Sequence, residues 1–268
     1  MIKLIVSDLD GTLLRSDKTY SEKVVPLIDE LRKHGVIFAI ATGRAVHLIQ
    51  DIFPDFLEKG AVICENGSAL LMDSKLLHRA KMAPDQVHEI LAAARNVRRL
   101  YPILCGTKCG YAEKTDDPET LAYVGAYVTR LEFIESLEDA LSLDDICKIS
   151  LLDGMDPFKN SYPQMRFLDA RYHVIPSGGR WLDVLLQGED KGSCLRRLQE
   201  ITGISPDETM CFGDFMNDVG LMENCRFSYA MKNAHPDFKK VCAFETRLTN
   251  DEDGVLDAIM ETTGIRVP

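Results

Sequence analysis

The chain has 268 residues, of which 46% are hydrophobic and 27% charged, and its formal net charge is −11. That length favours two domains of ~100–150 residues, and the balance is that of a soluble globular protein with material for a sizeable core. The negative charge argues against nucleic acid, whose phosphates select basic surfaces, and no stretch approaches the ~20 apolar residues of a membrane span.

The first predicted element is a strand, Ile2-Lys3-Leu4-Ile5-Val6. Its nearly unbroken apolar run is that of a strand buried on both faces of a parallel sheet. It starts at the first residue, so no secretion signal is expected. Asp8 and Asp10 follow at its carboxyl end. Side chains two apart on an extended chain point the same way. The two acids can therefore converge, and Gly11 permits a sharp turn. Adjacent carboxylates repel unless a cation lies near them, and a hard divalent ion such as Mg²⁺ suits oxygen ligands. Alone, an Asp-x-Asp is more often a turn than a site.

Arg15–Tyr20 reads as a short polar flap. Ser21 is expected to cap a helix through about His34, and Gly35 to stop it. Val36–Ala41 is a second buried strand, ending in Thr42-Gly43-Arg44 and followed by a helix through about Ile52. Pro54 breaks that pattern. Ala61–Cys64 is a third strand, ending in Glu65-Asn66-Gly67. Apolar strands alternating with helices predict a doubly wound parallel sheet, a Rossmann-like α/β core.

Near residue 81 the rhythm changes. Helices are expected over Pro84–Asn96, Pro118–Tyr127 and Ser161–Leu168. Short strands are expected at Leu100–Leu104, Gly110–Glu113, Ile146–Leu152, Tyr172–Pro176 and Trp181–Gln187. Such a segment reads as an inserted α+β cap domain over 82–184, between core segments 1–81 and 185–268. After it come Asp190-Lys191-Gly192 with a helix through Ile201, and a strand, Thr209–Gly213, ending in Asp214-Phe215-Met216-Asn217-Asp218. Strands at Phe227–Met231 and Cys242–Glu245 and a helix over Asp253–Thr262 close the chain. The eight cysteines lie scattered in these elements and read as small buried hydrophobes of a reducing, cytoplasmic compartment. Cys105 and Cys109 form the nearest pair but lack the further ligands that zinc requires.

Four polar clusters thus fall at strand ends or helix starts of one sheet: Asp8/Asp10, Thr42, Lys191 and Asp214/Asp218. Each alone reads as a turn, a cap or a solvated charge. Together they offer a carboxylate nucleophile, a second acid, a hydroxyl, a cation and further metal-binding acids. Phosphoryl transfer needs those parts, because its catalysis is mostly positioning and charge neutralisation.

The motifs DLDGTLL, TGR, DKG and GDFMND, with AMKNA and NDEDGV near the end, resemble the haloacid dehalogenase superfamily of phosphohydrolases. The similarity is to its Cof-like branch, which carries a large cap between the second and third motifs. It covers roughly 1–80 and 185–268; the cap matches by position and size. The resemblance implies a phosphatase in which Asp8 attacks phosphorus and forms an aspartyl-phosphate. It implies that Asp10 protonates the leaving oxygen and then serves as base for water. Mg²⁺ would be held by Asp8, the Asp10 carbonyl and Asp214, with Asp218 in an outer role. Thr42 and Lys191 would neutralise the phosphate, and Gly43, Asn66 and Asn217 would line the same crevice.

The expected substrate is a small phosphorylated metabolite, a sugar phosphate above all, because a closing cap favours small molecules. Two alternatives stay open on the sequence: a phosphosugar mutase, and a regulatory protein that uses Asp8 as a phospho-accepting switch. Lys148, Arg166, His173 and Arg180 are polar residues in the cap with no assigned role. The oligomeric state is open.

Overall fold

Leu4, Ile5 and Val6 lie at 0% exposure, which a strand reaches only when both of its faces are covered. In the computed structural model, which describes residues 1–128 and 130–267, they belong to β1 (Leu4–Asp8) inside an eight-stranded sheet. The chain continues through α1 (Val24–Lys33), β2 (Ile37–Ala41), α2 (Val46–Ile52), α3 (Pro54–Lys59), β3 (Ala61–Cys64), β4 (Ala69–Met72) and β5 (Lys75–Arg79). Strands β1, β2 and β3 are parallel. Strands β4 and β5, which the sequence reading did not anticipate, turn back as an antiparallel hairpin.

Two expectations are corrected here. Ser21 does not cap α1: its hydroxyl accepts the Lys23 N–H at 3.4 Å in a local turn, and the helix starts at Val24. This is the usual competition between a serine side chain and the helix. Pro54 ends α2 but also opens α3, since a proline at the first helical position forfeits no hydrogen bond.

Next come α4 (Pro84–Ala94), β6 (Leu100–Gly106), β7 (Gly110–Glu113), α5 (Pro118–Tyr127), β8 (Leu131–Ile134), α6 (Ala140–Leu143), β9 (Ile146–Asp153), α7 (Ser161–Met165), β10 (Tyr172–Gly178) and β11 (Trp181–Leu186). Their strands form a second sheet in the order β10-β11-β9-β6-β7-β8. It is antiparallel except for the parallel pair β7–β8. The helix expected over 161–168 is α7 followed by a 3-10 turn from Arg166 to Ala170. Strand β11 runs to Leu186, two residues past the expected cap boundary.

Every residue of β9 is buried, including Lys148, Ser150 and Asp153. Alternation explains how. Ile149 and Leu151 join Leu104, Leu182 and Val184 in an apolar cluster with Val87, Ile90 and Leu91 of α4. Lys148 and Ser150 point to the opposite face. Asp183 of β11 pairs directly with Ser150, and Cys105 of β6 with Lys148. One face of the second sheet is thus an ordinary core and the other carries a polar patch.

The chain then completes the first sheet with α8 (Lys191–Thr202), β12 (Thr209–Gly213), α9 (Val219–Glu223), β13 (Phe227–Ala230), α10 (Pro236–Lys239), β14 (Phe244–Glu245) and α11 (Gly254–Thr263). The last strand is shorter than the expected Cys242–Glu245. The sheet order is β14-β13-β12-β1-β2-β3-β4-β5, parallel from β14 through β3. From β1 the chain builds β2 and β3 on one side and later β12 on the other. A doubly wound α/β fold binds ligands outside the strand carboxyl ends at such a reversal. Among the described residues no helix is long and apolar enough to cross a membrane.

Candidate active site

Asp8 is the last residue of β1 and is 5% exposed. Gly11, three residues on, has φ +82°, and a Cβ there would lie 2.4 Å from Asp214 Oδ2. The position therefore demands glycine twice, for its backbone and for the close approach. That approach brings the loop after β1 against the loop after β12.

Lys191 opens α8. Asp190 caps this helix by accepting the Ser193 N–H at 2.5 Å, while Ser193 Oγ accepts the Asp190 N–H at 2.9 Å. A second glycine sets the helix in place: a Cβ on Gly67, at φ +106°, would lie 2.1 Å from the Asp190 carbonyl oxygen. Lys191 is 1% exposed, and its Nζ donates to Asp8 Oδ1 and to Asp218 Oδ1, both at 2.6 Å. Burial opposes its charge, but Asp218 and Asp8 hold the ammonium above its ordinary range.

Carboxylate oxygens of Asp8, Asp214 and Asp218 lie within 4.8 Å of one another. Asp218 is already committed: Oδ1 accepts from Lys191 and Oδ2 from the Asp214 N–H at 3.2 Å. Asp8 is pushed up to about 7, by burial first and then by the charge of Asp218, against the pull of Lys191. Asp214 is pushed up to about 8, by burial and then by Asp8 and Asp218. One ammonium does not balance three clustered carboxylates, two of them buried, so this donor set fits a hard divalent cation.

Thr42 follows β2 and is 1% exposed; its Oγ1 accepts the Arg44 N–H at 3.1 Å and retains a proton to donate. Arg44 itself is paired with Asp10. Its Nε donates to Oδ2 and its Nη2 to Oδ1, each at 2.7 Å, and Lys18 Nζ donates to Oδ1 at 2.9 Å. Burial would raise Asp10, but Arg44 and Lys18 outweigh it and hold the carboxyl below its usual range. In this arrangement Asp10 is a carboxylate with no proton to give.

Asp8, Asp10, Thr42, Gly43, Asp214 and Asn217 border one cavity of about 320 Å³. The polar patch of the second sheet closes its other side, with Cys105, Lys148, Ser150, Trp181 and Asp183. The two sheets touch through charged groups. Lys148 Nζ donates to the Gly43 carbonyl at 2.9 Å and to Asp183 Oδ2 at 3.2 Å, and lies 3.3 Å from Glu65 Oε2. Asn66 Nδ2 donates to Asp183 Oδ2 at 2.5 Å, and Asn66 Oδ1 accepts from Asn217 Nδ2 at 3.0 Å.

The profile of the haloacid dehalogenase-like hydrolases matches residues 5–259. The chain belongs to that family. It is 26% identical over 259 residues to the 5-amino-6-(5-phospho-D-ribitylamino)uracil phosphatase YbjI of Escherichia coli, covering 96% of this chain and 95% of that one. It is 28% identical over 241 residues to the HMP-PP phosphatase of Escherichia fergusonii, covering 89% and 87%. The fold superposes on SMU.1108c from Streptococcus mutans with a TM-score of 0.90 at 24% identity, covering 98% of this chain and all of the other. The protein is accordingly an enzyme of the phosphatase class with a Rossmann-like core.

In this hydrolase the residues expected from sequence fall into two ranks. Asp8, Asp10, Thr42, Gly43, Asp214 and Asn217 border the cavity, while Lys191, Asp218 and Asn66 stand behind and fix them. Of the four unassigned cap residues, Lys148 borders the cavity, and Arg166, His173 and Arg180 are not among the described residues that do. The sequence reading missed Lys18, His47, Glu65 and Asp183. Asp183 had a usable signal: a lone acid inside the apolar run Trp181–Leu186 must be either solvated or paired, and this strand is buried.

Proposed function

We propose that the protein is a Mg²⁺-dependent phosphatase of small phosphorylated metabolites, sugar phosphates foremost, acting through an aspartyl-phosphate on Asp8. The observation that carries this reading is Asp8 itself. It sits at a strand end, is gripped by a buried lysine, lies beside two further carboxylates, and opens on the cavity between the two sheets. Asp8 would attack phosphorus, with Lys191 holding its other charge in check. Thr42 would donate to a phosphoryl oxygen. Asp8, Asp214 and the Asp10 carbonyl would hold Mg²⁺, which when bound supplies positive charge against the phosphoryl oxygens. Asp218 stays outside that set and orients Lys191 and the Asp214 backbone.

Asp10 is the proton carrier in this reading, first as acid and then as base. For that it must leave Arg44. A bound phosphate offers the guanidinium a better bidentate partner, so the same event that fills the site would release Asp10. Residues 82–184 act here as a cap that closes over the leaving group on linkers near 80–84 and 184–188. The two relatives named above act, by their names, on small phosphorylated compounds, which agrees with a cavity of this size. The eight unpaired cysteines agree with a reducing, cytoplasmic setting.

The test is phosphate release from a panel of phosphorylated metabolites, with Mg²⁺ and with excess chelator, alongside chromatography of the sugar product. Release that survives the chelator would rule out the metal. Isomer interconversion in place of release would make the protein a mutase.

A further inference from the structure

Glu65 is 1% exposed and borders the same cavity as Asp8. Oε2 lies 3.3 Å from Lys148 Nζ as an ion pair, and neither carboxylate oxygen has a hydrogen-bond partner among the described residues. A buried carboxylate oxygen left so costs several times what an ordinary hydrogen bond contributes. The backbone that presents it is also strained. Glu65 and Asn66 both have φ +52°, and Gly67 follows at +106°. Two successive non-glycine residues in the left-handed region are costly. Such strain persists where surrounding structure over-determines it, and here Glu65 N–H is tied to the Arg44 carbonyl at 3.0 Å.

The neighbours show what kind of group is absent. Lys148 Nζ donates to the Gly43 carbonyl and to Asp183, and its charge also faces Glu65. Asp183 accepts from Ser150 at 2.6 Å as well as from Asn66 and Lys148. Cation and second carboxylate are thus used up, and the spare capacity at this end of the cavity is an acceptor. His47, 4% exposed and bordering the same cavity, likewise has neither ring nitrogen partnered among the described residues. Burial first, and then the charge of Arg130, keep this imidazole neutral, with one donor and one acceptor to offer.

We infer that Glu65 is a specificity-determining residue whose carboxylate accepts a hydrogen bond from a hydroxyl or N–H of the leaving group. The inference rests on the phosphatase reading and narrows it: the substrate carries a hydrogen-bond donor remote from its phosphate. Sites built to pair a substrate hydroxyl discriminate strongly against analogues that lack it.

The test uses the full chain with Mg²⁺ and two sets of substrates. One set contains glucose, ribose, ribitol and glycerol phosphates; the other is phenyl phosphate, whose leaving group carries no further hydroxyl. The wild type should favour the best hydroxylated substrate over phenyl phosphate in kcat/KM. Glu65→Gln should lower kcat/KM for that substrate by about tenfold or more, and for phenyl phosphate by less than about threefold. An equal fall on both, or no fall on either, would overturn the inference. A second measurement needs no variant: among monodeoxy analogues of the best substrate, one should lose about tenfold or more with the wild type. A deoxy series that is flat throughout overturns the inference even if Glu65→Gln does not fold. Turnover of phenyl phosphate but of no hydroxylated substrate would overturn it and leave the phosphatase reading intact. Release from neither set would remove the phosphatase reading itself.

Discussion

Arg44 holds Asp10 in a two-pronged grip, Nε on Oδ2 and Nη2 on Oδ1, both at 2.7 Å. The arginine side chain is 9% exposed, so this pair is not a solvent-weakened surface contact. It decides the resting state of the residue that must later carry a proton. Burial pushes Asp10 up, while Arg44 and then Lys18 pull it down and prevail. Arg44→Met should therefore raise the Asp10 pKa. The sign for stability follows. A depressed carboxylate stabilises the fold above its unfolded pKa and loses that contribution as pH falls through the folded value. The variant should lose this acid-limb dependence. Carboxyl ¹³C titration of Asp10 checks the shift, and an unchanged value would mean that Lys18 alone sets it.

Asp8 and Asp214 behave in the opposite way. They are pushed up to about 7 and about 8 by burial and by their own proximity to other carboxylates. Near neutral pH the pair keeps part of its protons until a cation arrives. Mg²⁺ binding should then expel protons, and its affinity should rise with pH between about 6 and 8. Calorimetry at pH 7 in two buffers of different ionisation enthalpy counts the protons released. Two ordinary carboxylates, ionised near 3.8, would release none.

Lys148 is the single ammonium between two buried carboxylates, Glu65 and Asp183, at 3.3 and 3.2 Å. Removing it strands both charges. Lys148→Met should cost about 3–5 kcal/mol, read as a lower midpoint in urea. Adding Glu65→Gln and Asp183→Asn should restore much of that loss, since the charges that needed Lys148 are then gone. A triple variant no more stable than Lys148→Met would show that packing, not charge, is at stake.

These residues also mark how far the sequence could be read. Asp8, Thr42 and Asp214 were legible because each ends an apolar run, and a doubly wound sheet sends its strand ends to one crevice. Lys191 was legible through its place at the start of a helix of the core. The cap side was not. Lys148, Ser150 and Asp183 share a face by alternation, but which face meets the core depends on how two sheets dock, which no local pattern records. Glu65 was hidden for another reason: Asn66-Gly67 signals a turn with positive φ, but nothing local announces that Glu65 shares that conformation and that the acid is buried. Arg44 was visible inside its motif, yet its hold on Asp10 spans 34 positions of chain.

The last prediction separates catalysis from a phospho-accepting switch. Asp10→Asn keeps the shape and the backbone carbonyl but cannot exchange a proton. With a sugar phosphate the leaving alkoxide is poor, and turnover should fall by roughly 10²–10⁴-fold, the usual contribution of general acid–base help. With an aryl phosphate the leaving group departs without protonation, so the first step survives while hydrolysis of the aspartyl-phosphate slows. The variant should therefore accumulate phosphate on Asp8 from the aryl ester and much less from the sugar ester. Intact-protein mass after brief incubation with each substrate measures this directly. A variant that turns over sugar phosphates like the wild type would show that Asp10 is not the acid, and that its grip by Arg44 is its resting and working state alike. A wild-type protein that already holds a long-lived phosphate and releases almost none would instead be the switch.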